Sequence, residues 1–172
     1  MGRYRNTGLA RGTFGSPQRS KENYELEKRV RLLGEELLLE KKERERKRLE
    51  QGIRELENAK VKFKKEDVLF VTRDKTGQLI WLEKGNDSAG LEHILKHKFD
   101  FYNTVKIKED DIPEYLRKAI TYGVVVKNKV KMIHGRQGYE RVYKYDSKYY
   151  ILAGIGLNGF VVSAYPTKKY RS

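Results

Sequence analysis

Close to Val61 the hydrophobic period of the chain changes, and no single regular element can span that change. Before it, residues 22–60 contain no proline and are dense in Glu, Lys, Arg and Leu, all strong helix formers. Leu26, Val30, Leu33 and Leu37 recur at spacings of four, three and four, and Leu49, Ile53 and Leu56 resume that rhythm after the charged stretch Lys41 to Arg48. The spacing predicts one long charged amphipathic helix with two short apolar seams. Each seam is shorter than the three or four heptads of a sustained coiled coil, so the stripe can serve an oligomer, the neighbouring domain or a partner surface.

After Val61, β-branched and aromatic runs take over, and residues 61–172 are expected to form one α+β domain. Asp67–Arg73 and Gln78–Glu83 flank Asp74-Lys75-Thr76-Gly77, which predicts a hairpin. Asp87 or Ser88 supplies an N-cap for a short helix to about Lys98, with Leu91, Ile94 and Leu95 on its apolar side. A second short helix is expected between Asp110 or Asp111 and Gly123, with Pro113 in its first turn and Tyr115, Leu116 and Ile120 on its apolar face. Val124–Ile133, Tyr139–Tyr145, Tyr149–Ile155 and Gly159–Tyr165 then read as four strands joined by hairpin turns, hence an antiparallel sheet. Alternation assigns Tyr150, Leu152, Phe160 and Val162 to the side covered by the two helices. Gly154, Gly156 and Gly159 sit between strands and do not open a helix, so they are not a phosphate-cradling loop.

Residues 1–21 carry Arg3, Arg5, Arg11, Arg19 and Lys21, Pro17 and four glycines with no acidic side chain, and are expected to form a disordered basic arm. The whole chain of 172 residues holds 38 Lys plus Arg against 24 Asp plus Glu, a formal charge of +14 that favours polyanionic partners. Cysteine is absent, which removes disulfides, thiolate nucleophiles and cysteine-ligated zinc. No apolar run approaches a membrane span and no hydrophobic signal core appears at the N-terminus, so a soluble, uncleaved chain without membrane contact is expected.

The chain has three histidines, and two of them, His93 and His97, are four apart on the first short helix and therefore share a face. With no obvious third ligand nearby, zinc is not favoured, and no metal or other cofactor is expected. RNA cleavage without a metal needs a group to take the 2′-hydroxyl proton, a group to protonate the leaving 5′-oxygen, and cations or donors for the developing phosphorane charge. His93 or His97 can serve as acid or base. Lys96, Lys98, Arg136 and Arg141 can hold phosphate, and Ser163, Tyr165 and Thr167 can donate hydroxyl hydrogen bonds. His134, beside Gly135 at an expected hairpin tip, is a reserve candidate. Tyrosines 139, 143, 145, 149 and 150 interleaved with Arg141, Lys144 and Lys148 suit single-strand binding. Each strand residue also has a purely architectural reading: Arg141 as an edge charge, Ser163 as ordinary strand polarity, Tyr165 as a cover for the core.

Three stretches taken together carry a resemblance: Trp81–Asp87 (WLEKGND) leading into Gly90–His97 (GLEHILKH), Gly138–Tyr143 (GYERVY), and Gly159–Pro166 (GFVVSAYP). They resemble the phage-associated branch of the barnase, EndoU, colicin and RelE-like nuclease superfamily, over roughly residues 66–169. The resemblance implies proton transfer by His93 and His97, phosphate binding by Arg141, and substrate orientation or charge stabilisation by Ser163 and Tyr165. It also implies a phage head-associated protein or a toxin, located in the virion or host cytoplasm, with an immunity, capsid or portal protein as partner. The leading expectation is a metal-independent endoribonuclease. Its rival is a non-catalytic virion protein docking on capsid, portal or packaged nucleic acid, because residues 1–65 alone hold 19 basic and 11 acidic side chains.

Overall fold

The switch in period is a switch in structure. The computed structural model describes residues 17–146 and 149–170, with side chains from Ser20 onward. Most of the expected basic arm lies outside the described residues, but its last part is helical: α1 runs Pro17–Asn58. Proline fits the first turn, where its fixed φ is already helical and its missing N–H has no intrahelical partner.

The chain divides into two units, Met1–Arg44 and Glu45–Ser172. In the first, the ion pair between Glu40 and Arg44 (2.9 Å) supports the helix across one turn. Leu26, Val30, Leu33 and Leu37 remain more than half exposed. In the second, the seam does what its spacing implies: Ile53 and Leu56 are buried with Val68, Val71 and Trp81, and Leu49, Phe63 and Phe160 pack around them. Burying side chains of this size stabilises by about 1.5–3 kcal/mol each.

The expected hairpin is β1 (Val68–Arg73) paired antiparallel with β2 (Leu79–Glu83). The first short helix is broken into α2 (Leu91–Ile94), a 3-10 turn at Leu95–His97, and α3 (Lys98–Val105), so it extends seven residues beyond Lys98. The extension is anchored by Phe101, which is wholly buried. The second helix, α4, runs Ile112–Tyr122 with Pro113 in its first turn. Strands β3 (Val124–Ile133), β4 (Arg136–Tyr145), β5 (Tyr149–Gly156) and β6 (Val161–Thr167) form an antiparallel sheet in that order. The fold is therefore α+β: a four-stranded antiparallel sheet with short helices on one face, a two-stranded sheet beside it and a long N-terminal helix.

The parity expected along β5 is reversed. Ile151, Ala153 and Ile155 join Ile94, Phe101, Ile112, Leu116 and Ile120 in the main core, with Val161 and Ala164 from β6. Tyr150 and Leu152 lie on the opposite face, paired with Thr167 and Tyr165, and Phe160 belongs to the cluster around Trp81. Both alternations along Tyr150–Gly156 are apolar, so neither residue set marks the core by hydrophobicity alone, and a one-residue slip exchanges the faces. The correction decides which side chains are free to meet a ligand: Lys127, Lys129 and Lys131 of β3, Glu140 and Lys144 of β4, and Ser163 and Tyr165 of β6 share the face away from the main core.

Candidate active site

The three histidines come together although they arise from two distant segments. His134 and Gly135 form the two-residue turn between β3 and β4, both at positive φ (46° and 78°), as the tight turn matched to sheet twist requires. A histidine at positive φ is uncommon and fixes where its ring projects. The His134 and His93 rings meet edge to face with centroids 5.1 Å apart, and His93 stands 6.5 Å from His97. His97 lies 5.6 Å from the ring of Tyr165 on β6. The result is a row, His134–His93–His97–Tyr165, along one rim of the open sheet face.

Hydrogen bonds orient two of the imidazoles. His93 Nδ1 lies 2.9 Å from the Asp87 carbonyl oxygen. A carbonyl only accepts, so Nδ1 carries the hydrogen and the neutral ring keeps its lone pair on Nε2. Lys96 Nζ donates to the same carbonyl at 2.7 Å, setting a cation beside His93. His97 Nδ1 donates to Asp100 Oδ2 at 3.2 Å, which holds its ring.

Beside the row is a cleft of about 240 Å³ lined by Lys131, His134, Glu140, Leu152, Gly154, Ser163 and Tyr165 among others. Gly154 keeps its floor open, because a Cβ there would stand 2.7 Å from Ser163 Oγ. Glu140 accepts hydrogen bonds from Lys127 and, at 2.6 Å, from Lys131. Those two ammonium groups hold its carboxyl well below the usual carboxylate range, at about 2. The carboxylate thus fixes two lysines on the open face and leaves the trio with one net positive charge. Sequence reasoning did not select Lys127, Lys131 or Glu140. Their signal was the i, i+2 recurrence of lysine in β3 opposite a lone acid in β4.

Of the expected site residues, His93, His97, Ser163 and Tyr165 come together, and the reserve candidate His134 joins them. Arg141 does not. Its side chain is 2% exposed, on the opposite face of the sheet, where Nη1 bonds Asp74 Oδ2 at 2.6 Å and Nε and Nη2 reach Asn128 Oδ1 at 3.1 Å. The assignment of phosphate binding to Arg141 is therefore corrected: it is an internal tie between the β1–β2 turn and the sheet. Tyr143 donates to the same carboxylate oxygen at 3.0 Å, and burial, reinforced by that carboxylate, pushes its hydroxyl pKa up. Lys96 is at the site, whereas Lys98 pairs with Glu109 at 2.8 Å. Lys144 is exposed further along the open face, opposite Tyr150. Arg136 borders a second cleft that also reaches His134. Thr167 donates its hydroxyl to the Lys169 carbonyl at 3.0 Å.

Among the described residues no group of three or more His, Cys, Asp or Glu side chains is placed to hold a metal ion, and no helix is long and apolar enough to cross a membrane. No protein-family model matches this chain, and no curated protein matches it.

Proposed function

We propose that this domain is a metal-independent endoribonuclease that cleaves RNA by attack of the 2′-hydroxyl. The observation that carries the reading is the convergence of all three imidazoles on one rim of a lysine-bearing open sheet face. In the reaction, the 2′-oxygen bonds to phosphorus as the bond to the 5′-oxygen breaks. One imidazole takes the 2′-hydroxyl proton and a second gives a proton to the leaving oxygen, so the products are a 2′,3′-cyclic phosphate and a 5′-hydroxyl. His93 is common to either pairing, with His134 or with His97. Lys131 and the hydroxyls of Ser163 and Tyr165, which border the cleft, are the groups available for the phosphorane charge.

The second reading, a cationic nucleic-acid scaffold without chemistry, draws its support from the burial of Arg141, which leaves the site without an arginine fork for the phosphate. Incubation with single-stranded RNA in excess chelator separates the two. The catalytic reading predicts cyclic-phosphate ends from the wild type and loss of about 10²-fold or more in rate for His93→Ala. It also predicts a smaller loss for whichever of His97→Ala and His134→Ala removes the imidazole that does not transfer a proton. Intact RNA with binding that weakens steeply with salt supports the scaffold.

A further inference from the structure

A cleft of the second unit larger than the one beside the histidine row does not contain the lysines or hydroxyls of the proposed site. It encloses about 480 Å³, within the roughly 300–1,000 Å³ typical of small-molecule sites. Ile133 and His134 border both clefts, so the two adjoin at the hairpin tip. One wall is apolar, from Ile133, Leu157, Phe160 and Val162. The rim is polar: Asn86 and Ser88 from the β2–α2 connection, Arg136 and Gln137 from β4, and Asn158 from the β5–β6 turn.

The polarity of that rim is lopsided. Asn86 Oδ1 accepts from the Ser88 backbone N–H at 2.8 Å and Asn158 Oδ1 accepts from that of Phe160 at 3.2 Å. Each carboxamide oxygen is therefore engaged by its own turn, so the two Asn NH₂ groups and the Arg136 guanidinium weight the rim towards donors, while Gln137 and Ser88 can both donate and accept. Such a rim favours an occupant that presents acceptors. Phe160 and Arg136 both line the cleft, and a phenyl ring and a guanidinium are groups on which unpaired bases stack.

We propose that this cleft is a nucleobase subsite that receives the base flanking the scissile phosphate, and that it prefers a purine. The inference rests on the ribonuclease reading above. An apolar wall, a rim weighted towards donors and a border shared at His134 are what a base needs when its own phosphate lies at the histidine row. The two-ring purines, whose N7 is an acceptor in both adenine and guanine, match a cavity twice the volume of its neighbour. Of the residues that meet at the proposed catalytic site, His134 alone also lines this cleft, and Arg136, expected from the sequence to hold phosphate, lies here instead.

Two measurements test this separately from the chemistry. The first maps cleavage positions on a mixed-sequence single-stranded RNA. A purine preference of about tenfold is expected at one flanking position, falling to within about twofold in the double variant Arg136→Ala with Gln137→Ala. A base-blind wild type, or a double variant that keeps the full preference, overturns the proposal. The second titrates the protein with adenosine and guanosine 3′-monophosphate against the cytidine and uridine equivalents, reading backbone amide shifts of Gln137, Leu157 and Asn158. Stronger shifts with the purine nucleotides support the subsite even if the wild type leaves RNA uncut, an outcome that removes the catalytic reading alone. Shifts absent from these amides, or equal for all four nucleotides, overturn the subsite whether or not RNA is cut.

Discussion

Arg141 shows most sharply how a residue's chemistry depends on its surroundings. With Asp74 it forms an ion pair removed from water, 67 positions apart in the chain, and Asn128 and Tyr143 complete the hydrogen bonding. Removing one partner of such a pair leaves an uncompensated buried charge, so Arg141→Ala is expected to lower stability by about 3–5 kcal/mol in chemical denaturation. A change under about 1 kcal/mol would mean that the pair is not buried as described. The strand Tyr139–Tyr145 was legible in the sequence, but not which of its alternate side chains the fold buries or that a turn acid waits on that face. His93 and His97 were legible because helical spacing alone puts them together. His134 was legible only as a loop-tip histidine, since its 5.1 Å approach to His93 depends on tertiary folding. Glu140 offers a further check. Its carboxyl is depressed to about 2, so its contribution is present above the ordinary value near 4.5 and is lost as pH falls towards 2. The pairs are partly solvated, so Glu140→Gln is expected to cost only about 0.2–1 kcal/mol near neutrality, with the gap closing between pH 4.5 and 2. A gap that widens on acidification contradicts the assignment.

Among the elements, α1 behaves as two segments of unequal consequence. Its last turns are held by Ile53 and Leu56 against Val68, Val71 and Trp81, whereas Leu33 is 57% exposed. Leu56→Ala is therefore expected to cost about 2–5 kcal/mol, and Leu33→Ala to stay within about 0.5 kcal/mol, in thermal or denaturant unfolding at low protein concentration. Equal effects would contradict this division. The helix itself was legible from composition and spacing, and so was the run of hairpins, because turn residues and β-branched segments alternate clearly there. The extension Lys98–Val105 was not. Phe99 is 70% exposed and only Phe101 is wholly buried, so the segment has too few apolar anchors to display a helical period, and a 3-10 turn at Leu95–His97 breaks the phase before it. The β5 parity was misjudged for a related reason: a strand apolar on both faces does not announce its core side.

For the whole molecule, a net charge of +14 and a lysine-bearing open face favour a polyanionic partner, and the proposed ribonuclease reading assigns its chemistry to the histidine row. Among the described residues of the sheet, Lys129 and Lys144 are open-face lysines not joined to Glu140. Replacing either with glutamine is expected to weaken single-stranded RNA binding uniformly across sequences. For every phosphate that such a variant ceases to neutralise, the slope of log affinity against log salt should flatten by about 0.7. Sequence-dependent losses would instead identify these lysines as base readers. Charge and fold class were open to the sequence; the meeting of the two histidine segments was not, because it is made by a turn and a helix that only the assembled fold brings together. The most direct test of the central claim uses one RNA strand with a single 2′-deoxy nucleotide at a mapped cleavage position, incubated in excess chelator beside its all-ribose control. Attack by the 2′-hydroxyl predicts cleavage of the control and none at the substituted position. Undiminished cutting at that position, or an intact control, would contradict the account.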